Sequence, residues 1–307
     1  MIASNVSDSV GKPAAFYEAK PRSESAGFAP QRSRILSLVL RLLVMASAGI
    51  TIVLIVFLFG YILVKGIPSL SLELFSFEYT SENVSLLPAL VNTVVITFAA
   101  LLVSAPVGIC AAIWLAEYSR RGSRLILLVR LAAETLAGIP SIIYGLFGML
   151  MFVIFLRWGY SILAGAFTLA IMVLPVIMRT TENALLSVPD SYREGSFALG
   201  AGKLRTIFSI VIPAAMPGIL SGVILSIGRI VGETAALIFT AGTVAKMPDS
   251  PFSSARTLAV HMYSLSSEGF HIKQSYATAV VLLVLVVVIN ALASMGAKKL
   301  GAEKKYD

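Results

Sequence analysis

Charge is scarce in this sequence. Asp, Glu, Lys and Arg make up 13% of its 307 residues, roughly half the share of a soluble domain. The shortage excludes an ordinary soluble surface for most of the chain, and the hydrophobic residues, 57% of the total, fall in long runs. Cysteine is nearly absent. Cys110 stands alone, which excludes an internal disulfide and any multi-thiolate metal site; it reads as a small apolar filler in a helix. His261 and His271 have no ligand-like partners at metal spacing, so no metal site is expected and both read as surface residues. Catalytic signatures are missing too. Gly200-Ala201-Gly202-Lys203-Leu204 comes nearest to a P-loop, but it lacks the first glycine at the right distance and the Ser/Thr after lysine. No HEXXH-type helix or G-x-S-x-G elbow occurs. The chain is therefore not read as an enzyme, and it has no usual route to ATP hydrolysis.

What is present is membrane-spanning sequence. A span needs about 20 mainly apolar residues, and six candidates meet this: Leu42–Val64, Leu86–Leu115, Ile139–Leu156, Ile162–Ile177, Ala215–Phe239 and Ala277–Met295. The fold class is an all-α integral membrane protein. Residues Leu125–Leu156 are almost unbroken apolar sequence, yet one helix of that length would run about 48 Å, too long for the bilayer core. Arg130 and Glu134 lie in its first part, and Gly138-Ile139-Pro140 breaks it. Arg124–Leu136 is thus expected to be an interfacial amphipathic helix leading into the third span.

Basic residues orient the chain. Eighteen Lys and Arg fall in the two tails and the even-numbered loops, against five (Lys65, Arg157, Lys246, Arg256, Lys273) in the opposite loops. The asymmetry predicts a multi-pass membrane protein with both termini cytoplasmic. It makes the net charge of +8 a topology signal, with no nucleic-acid partner inferred. Residues 1–34 are polar without a secretory apolar core and read as a disordered cytoplasmic tail. Residues 35–297 form the transmembrane domain and 298–307 a second cytoplasmic tail.

One stretch departs from this apolar background: "REGSFALGAGKLRTIFSIVIP", Arg193–Pro213, in the loop between spans four and five. Ser191 and Glu194 fit a capping box after Pro189. Gly200 and Gly202 can stop the helix in a left-handed turn. Lys203–Ile212 reads as a second short helix ended by Pro213. Two short helices on the cytoplasmic face make a knob that either lies on lipid headgroups or meets a protein.

The fifth span carries Ile227-Gly228-Arg229-Ile230-Val231-Gly232-Glu233-Thr234. A charge near the midplane costs about 2.5–3.5 kcal/mol, and Glu233, one turn beyond Arg229, is placed to pair with it. Gly222, Ser226, Arg229, Glu233 and Thr240 fall on one helical face. Gly218/Gly222 and Gly228/Gly232 are GxxxG pairs that imply close helix neighbours. The Arg–Glu pair is either a packing device or a site for an oxyanion, which guanidinium binds in a bidentate way.

The spacing Glu194-Gly195-Ser196, Gly200, Ile210, Ile212-Pro213 resembles the "EAA" signature of importer-type ABC transporter permeases. Gly195 and Ser196 stand for the two alanines, and Ile212 for leucine. "MRTTENALLSVPDSYREGSFALGAGKLRTIF", "GVILSIGRIVGETAALIFTAG", the "AEY" at Ala116–Tyr118 and "AGIPSIIYGLFG" at Ala137–Gly148 are similar to PstA-type permeases of phosphate importers, over roughly Leu86–Ala293. Ala236 stands where that family has proline, which leaves the helix around Glu233 open.

This resemblance implies a six-helix importer fold with cytoplasmic coupling helices. It implies a PstC-like second permease, a PstB-like ATPase dimer that holds ATP and Mg, and a PstS-like phosphate-binding protein outside; no cofactor resides in this chain. Arg193, Glu194, Gly195, Ser196, Gly200, Ile210 and Pro213 would couple to the ATPase. Arg229, Glu233, Thr234 and Arg179 would line the substrate pathway, although Arg179 also suits a basic residue snorkelling at a helix end. Loops 66–85 and 242–276 would receive the binding protein, with Phe75, Phe77 and Tyr79 as docking anchors or as an interfacial aromatic belt. The alternatives are a permease for molybdate or sulfate, the PstC-like partner, or a passive anion channel.

Overall fold

The computed structural model describes residues 31–119 and 123–302, so the readings of a disordered tail before residue 31 and of the last five residues lie outside the described residues. The described chain is helical. α1 (Gln31–Gly66) begins inside the segment read as tail. Its residues to Val56 form one unit and those from Phe57 belong to a second. Leu36–Val56 of the first unit are exposed throughout, and their run of Leu, Val and Ile is long enough to span a bilayer.

The second unit is built on α5 (Ile162–Leu186). α2 (Leu87–Ile113, extended by a π turn Trp114–Tyr118) and α8 (Ile212–Val231) pack against it. So do α3 (Arg124–Ala137), α4 (Ser141–Gly148, extended by a π turn Met149–Phe155) and α9 (Ala235–Thr240). α6 (Asp190–Ala198) and α7 (Lys203–Thr206) form the knob. α10 (Leu258–Glu268) and α11 (Ile272–Ala302) complete the chain. Among the described residues five helices are long and apolar enough to cross a membrane, and six if the α3–α4 pair, bent by 101°, counts as one span.

The bend falls at Gly138-Ile139-Pro140, because Pro140 has no N–H for a continuing helix and disfavours α geometry in the residue before it. Leu127, Leu128 and Leu131 of α3 are exposed while Ile126 and Ala133 are buried, the amphipathic face expected of it. Arg130 and Glu134 of α3 do not serve each other. They pair crosswise with α5: Arg130 Nη2 lies 2.6 Å from Glu182 Oε1, and Arg179 Nη2 lies 3.5 Å from Glu134 Oε1. Arg179 is thus tied to α3 at the end of the bundle that carries the knob.

Small residues let the helices around α5 approach closely. A Cβ on Gly145 of α4 would stand 2.8 Å from the Ala236 Cα, and one on Gly165 would stand 2.9 Å from the Ala241 Cβ. One of the two expected GxxxG pairs acts the same way. Gly218 packs on Ala184, and Gly222 on Thr180. Gly228 has open space where its Cβ would lie, so the Gly228/Gly232 pair packs on no helix among the described residues. Cys110 is exposed rather than a filler, since α2 turns that face away from α5.

The end of the bundle remote from the knob is closed by a polar cap built from α2 and the loop before α10. Asn92 Nδ2 donates to the carbonyls of Lys246 (3.0 Å) and Arg256 (3.2 Å). Thr93 Oγ1 accepts the Leu258 N–H at 2.8 Å, capping α10 from another helix. Arg256 lies over the Tyr79 ring, 5.6 Å from its centroid, and donates to the Thr243 carbonyl. Tyr79 is therefore a structural residue, whereas Phe77 stays exposed.

His261, read as a surface residue, is instead wholly buried between this arginine and Tyr79. The sequence reading missed it because its neighbours come from loops far away in the chain. Burial, and secondarily the Arg256 charge, lower its pKa from 6.5 to about 4, partly opposed by the Val84 backbone. Val84 is buried with φ +46°, a strained conformation for a β-branched residue.

Two outcomes follow from this packing. Gly145→Ala forces two backbones apart and should lower stability by about 1–3 kcal/mol, read as a lower thermal midpoint of the purified protein. The folded state disfavours protonated His261, so its contribution is complete above pH 6.5 and is lost as pH falls toward about 4. The full loss is about 3 kcal/mol. Amide exchange in residues 254–268, corrected for intrinsic rates, should therefore accelerate on acidification through that window, and His261→Gln should flatten the dependence.

Candidate functional site

Apart from Arg179 of α5, the coupling and pathway residues singled out by sequence fall in two regions: the knob, and the α8–α9 segment. In the knob, α6 starts at Asp190 directly after Pro189, without a side-chain cap. Ser191 lies within its first turn, so the expected capping box does not form. Gly200 ends α6 as expected, with φ +82° and its N–H on the Phe197 carbonyl at 2.9 Å. Gly202 has φ −73° and instead opens α7. The expected second short helix is also corrected. α7 passes through a π turn (Ile207–Val211) directly into α8, with Pro213 in the first turn of α8. Within this continuous helix Pro213 cannot donate to the preceding turn, and the π turn before it is where the backbone bonding departs from the regular α pattern. The knob is thus one short helix folded back on the extended foot of a span.

Arg193 fixes that arrangement. Its Nη2 donates to Glu117 Oε1 at 2.6 Å and to the Leu185 carbonyl at 2.9 Å. Its Nη1 donates to the Val188 carbonyl at 2.8 Å and to Asp190 Oδ1 at 3.2 Å. One guanidinium thereby adds a charged donor to the Leu185 carbonyl, which also accepts the Val188 N–H at 3.3 Å at the end of α5, and ties α6 to the π turn after α2. The pair is secluded, with side chains 15% and 8% exposed for Arg193 and Glu117. Lys203 Nζ sits 4.7 Å from the centroid of the Tyr118 ring, so the "AEY" segment holds both ends of the knob. Ser196 is buried with its hydroxyl 2.8 Å from that of Thr206. Glu194, Gly195 and Gly200 are exposed. A groove of about 630 Å³ runs between Tyr192, Leu199, Gly200, Arg205 and Ile210. Leu199, 90% exposed, stands at its edge.

The fifth span is broken. α8 stops at Val231, and Gly232-Glu233-Thr234 separates it from α9. The single polar face through Glu233 and Thr240 therefore does not form. No ion pair joins Arg229 and Glu233 among the described residues. Glu233 Oε1 accepts the Ala236 N–H at 3.2 Å and caps α9. The alanine that replaces the family's proline supplies this N–H, which a proline would lack.

Arg229 is half-buried and, among the described residues, makes no hydrogen bond or ion pair. It lines an open cleft of about 690 Å³ between α8, α11 and Val176 of α5, together with Ser221, Gly228, Asn290 and Ser294. Thr234 lines a different cavity of about 700 Å³, with Ile142, Phe239, Tyr263 and Tyr276. Arg229, Glu233, Thr234 and Arg179 thus stand in four separate settings. Glu117 and Asn290 escaped the sequence reading. A carboxylate beside a span end and an amide inside "VVLLVLVVVINALASM" were the available signals.

The Glu117–Arg193 pair generates a prediction. Glu117→Ala leaves a secluded guanidinium without its carboxylate, a loss of about 3–5 kcal/mol. Limited trypsin digestion should then cut at Lys203 and Arg205 at least tenfold faster, with the α2–α5 packing retained.

Residues 108–301 match the model of binding-protein-dependent transport system inner membrane components. The chain is 36% identical over 242 residues to the probable ABC transporter permease protein YqgI of Bacillus subtilis, covering 72% of this chain and 80% of that protein. It is 36% identical over 245 residues to the phosphate transport system permease protein PstA of Yersinia pestis, covering 79% and 82%. A chain from the crystal structure of a bacterial ABC transporter involved in alginate import shares the fold, with TM-score 0.60 and 16% identity over 87% of this chain and 99% of that one. The matched segment contains the knob, the broken fifth span and the Arg229 cleft, and the chain belongs to the family of inner membrane components of binding-protein-dependent transport systems.

Proposed function

We propose that this chain is a permease subunit of an ATP-driven phosphate importer and forms half of its translocation pathway. Relatives named phosphate transport system permease proteins support the substrate. The observation that carries the reading is Arg229, a permanent cation in a membrane helix with no carboxylate on it. Such a charge is costly in apolar surroundings, and a passing oxyanion matches its planar fork of donors. Glu233 and Thr234 act in the pathway by shaping the break that follows Arg229. Arg179 acts on it through α3.

The knob is the coupling element. Its groove and the exposed Leu199 dock on a PstB-like ATPase dimer, which holds ATP and Mg. Glu194, Gly195, Ser196, Gly200, Ile210 and Pro213 shape that surface, and Arg193 transmits its displacement to α2 and α5. A PstC-like permease completes the pathway, and a PstS-like protein delivers phosphate at the polar cap, with both termini of this chain in the cytoplasm.

The test is uptake of radiolabelled phosphate in cells in which this importer is the sole phosphate route. Arg229→Lys keeps the charge but loses the fork, and uptake should fall about tenfold or more with unchanged complex yield. Uptake equal to that of the parent protein would remove Arg229 from the pathway.

A further inference from the structure

The Arg229 cleft contains a second polar group with a defined demand. Asn290, on α11, lines the same space, and its Oδ1 is buried without a hydrogen-bond partner. It lies in a run of Val, Leu and Ile where an amide has no packing advantage over leucine. A buried, unsatisfied acceptor carries a desolvation penalty, and polar residues within spans mark ligand paths. Ser221, which also lines the cleft, gives its proton to the Pro217 carbonyl at 2.9 Å, which leaves its oxygen available only as an acceptor. Ser294 adds a hydroxyl. Among the described residues no carboxylate lines the space.

The cleft therefore presents a cation rich in N–H donors beside acceptors that lack a donor. An occupant that satisfies both sides must be an anion with oxygen acceptors and at least one hydroxyl proton. Hydrogen phosphate and dihydrogen phosphate meet this requirement. Sulfate, with the same tetrahedral shape, has no proton at neutral pH and sets its lone pairs against those of Asn290.

We infer that Asn290 and Arg229 form an oxyanion subsite between α8 and α11 that accepts phosphate in a protonated form, with Asn290 Oδ1 taking the P–OH hydrogen bond and discriminating against sulfate. The inference rests on the phosphate-permease reading and adds to it the residue that reads the proton. Asn290 is a specificity residue here because it touches the anion while Arg229 neutralises it. The span break beyond Val231 keeps Glu233 occupied on α9, so the cleft retains its positive potential.

The experiment uses the importer assembled with its partner subunits and carrying Ser294→Cys in a Cys110→Ser background, which places the one thiol of this chain in the cleft. Maleimide labelling of that thiol is followed while inorganic phosphate or sulfate is added at constant ionic strength. Phosphate should protect at a concentration about tenfold or more below that of sulfate, the factor set by one unpaired buried acceptor. Adding Asn290→Leu should bring the two midpoints to within about twofold, and Asn290→Ser, which retains an acceptor of shorter reach, should fall between them. Complex yield is measured for each variant so that misassembly is recognised; if the Leu variant fails to assemble, the Ser variant carries the comparison. Equal protection by both anions with Asn290 present, or an unchanged preference without it, overturns the inference. Protection by neither anion also overturns it, and leaves the permease reading to stand or fall on the uptake of Arg229→Lys.

Discussion

The structure depends on how α5 is finished at its knob end. A helix surrounded by apolar neighbours must still satisfy its last carbonyls. Here Arg193, arriving from the next helix, donates to the carbonyl of Leu185 and to that of Val188 just beyond. That one solution places α6, and the same guanidinium brings in Glu117 from the end of α2. The Arg130–Glu182 and Arg179–Glu134 pairs then fasten α3 to the same end of α5. Three helices that would otherwise meet only through side-chain packing are joined by charge at one level. Arg193 of α6 is thus bonded at once to the end of α2 through Glu117 and to the end of α5 through the Leu185 carbonyl.

The opposite economy holds at Arg229. Where Arg193 is saturated, Arg229 has no hydrogen-bond or ion-pair partner among the described residues, and the break at Gly232-Glu233-Thr234 separates it from Glu233. Had α8 continued, Glu233 would stand one turn from Arg229 and neutralise it. The chain instead turns at Gly232, and the Glu233 carboxylate is consumed by an N–H at the start of α9. A short structural bond thus decides the electrostatics of the neighbouring cleft. The polar cap at the far end follows the saturated pattern. Asn92 and Thr93, buried in α2, hold the loop before α10 by its backbone, so that loop is ordered by contacts made across the chain.

Much of the architecture was legible before any coordinates. Apolar runs of bilayer length locate the spans because a membrane imposes a single length and a single polarity. Gly138-Ile139-Pro140 marks the bend because proline acts locally. Gly200 marks the end of α6 because a left-handed turn favours glycine. The spacing of the knob carries the family, since each of its residues answers a local demand of size or turn. Where demands were not local, the reading erred. The capping box at Ser191, the second short helix ended by Pro213 and the Arg229–Glu233 pair all assumed that nearest neighbours in sequence take each other as partners. Arg130, Glu134, Glu233 and His261 show that they do not.

The sequence by itself determined that the chain crosses a membrane several times, where it bends, and which polar segment interrupts the apolar background, because length, hydropathy and backbone stereochemistry act within a few residues. Only the tertiary structure decided which charge pairs with which. Coulombic and hydrogen-bonding partners are chosen by distance in space, and packing on α5 brings Glu117 to Arg193 across 76 positions and Arg130 to Glu182 across 52. The same packing leaves Arg229 without a carboxylate among the described residues and sets Asn290 on the same cleft, a placement that no local pattern in either helix contains.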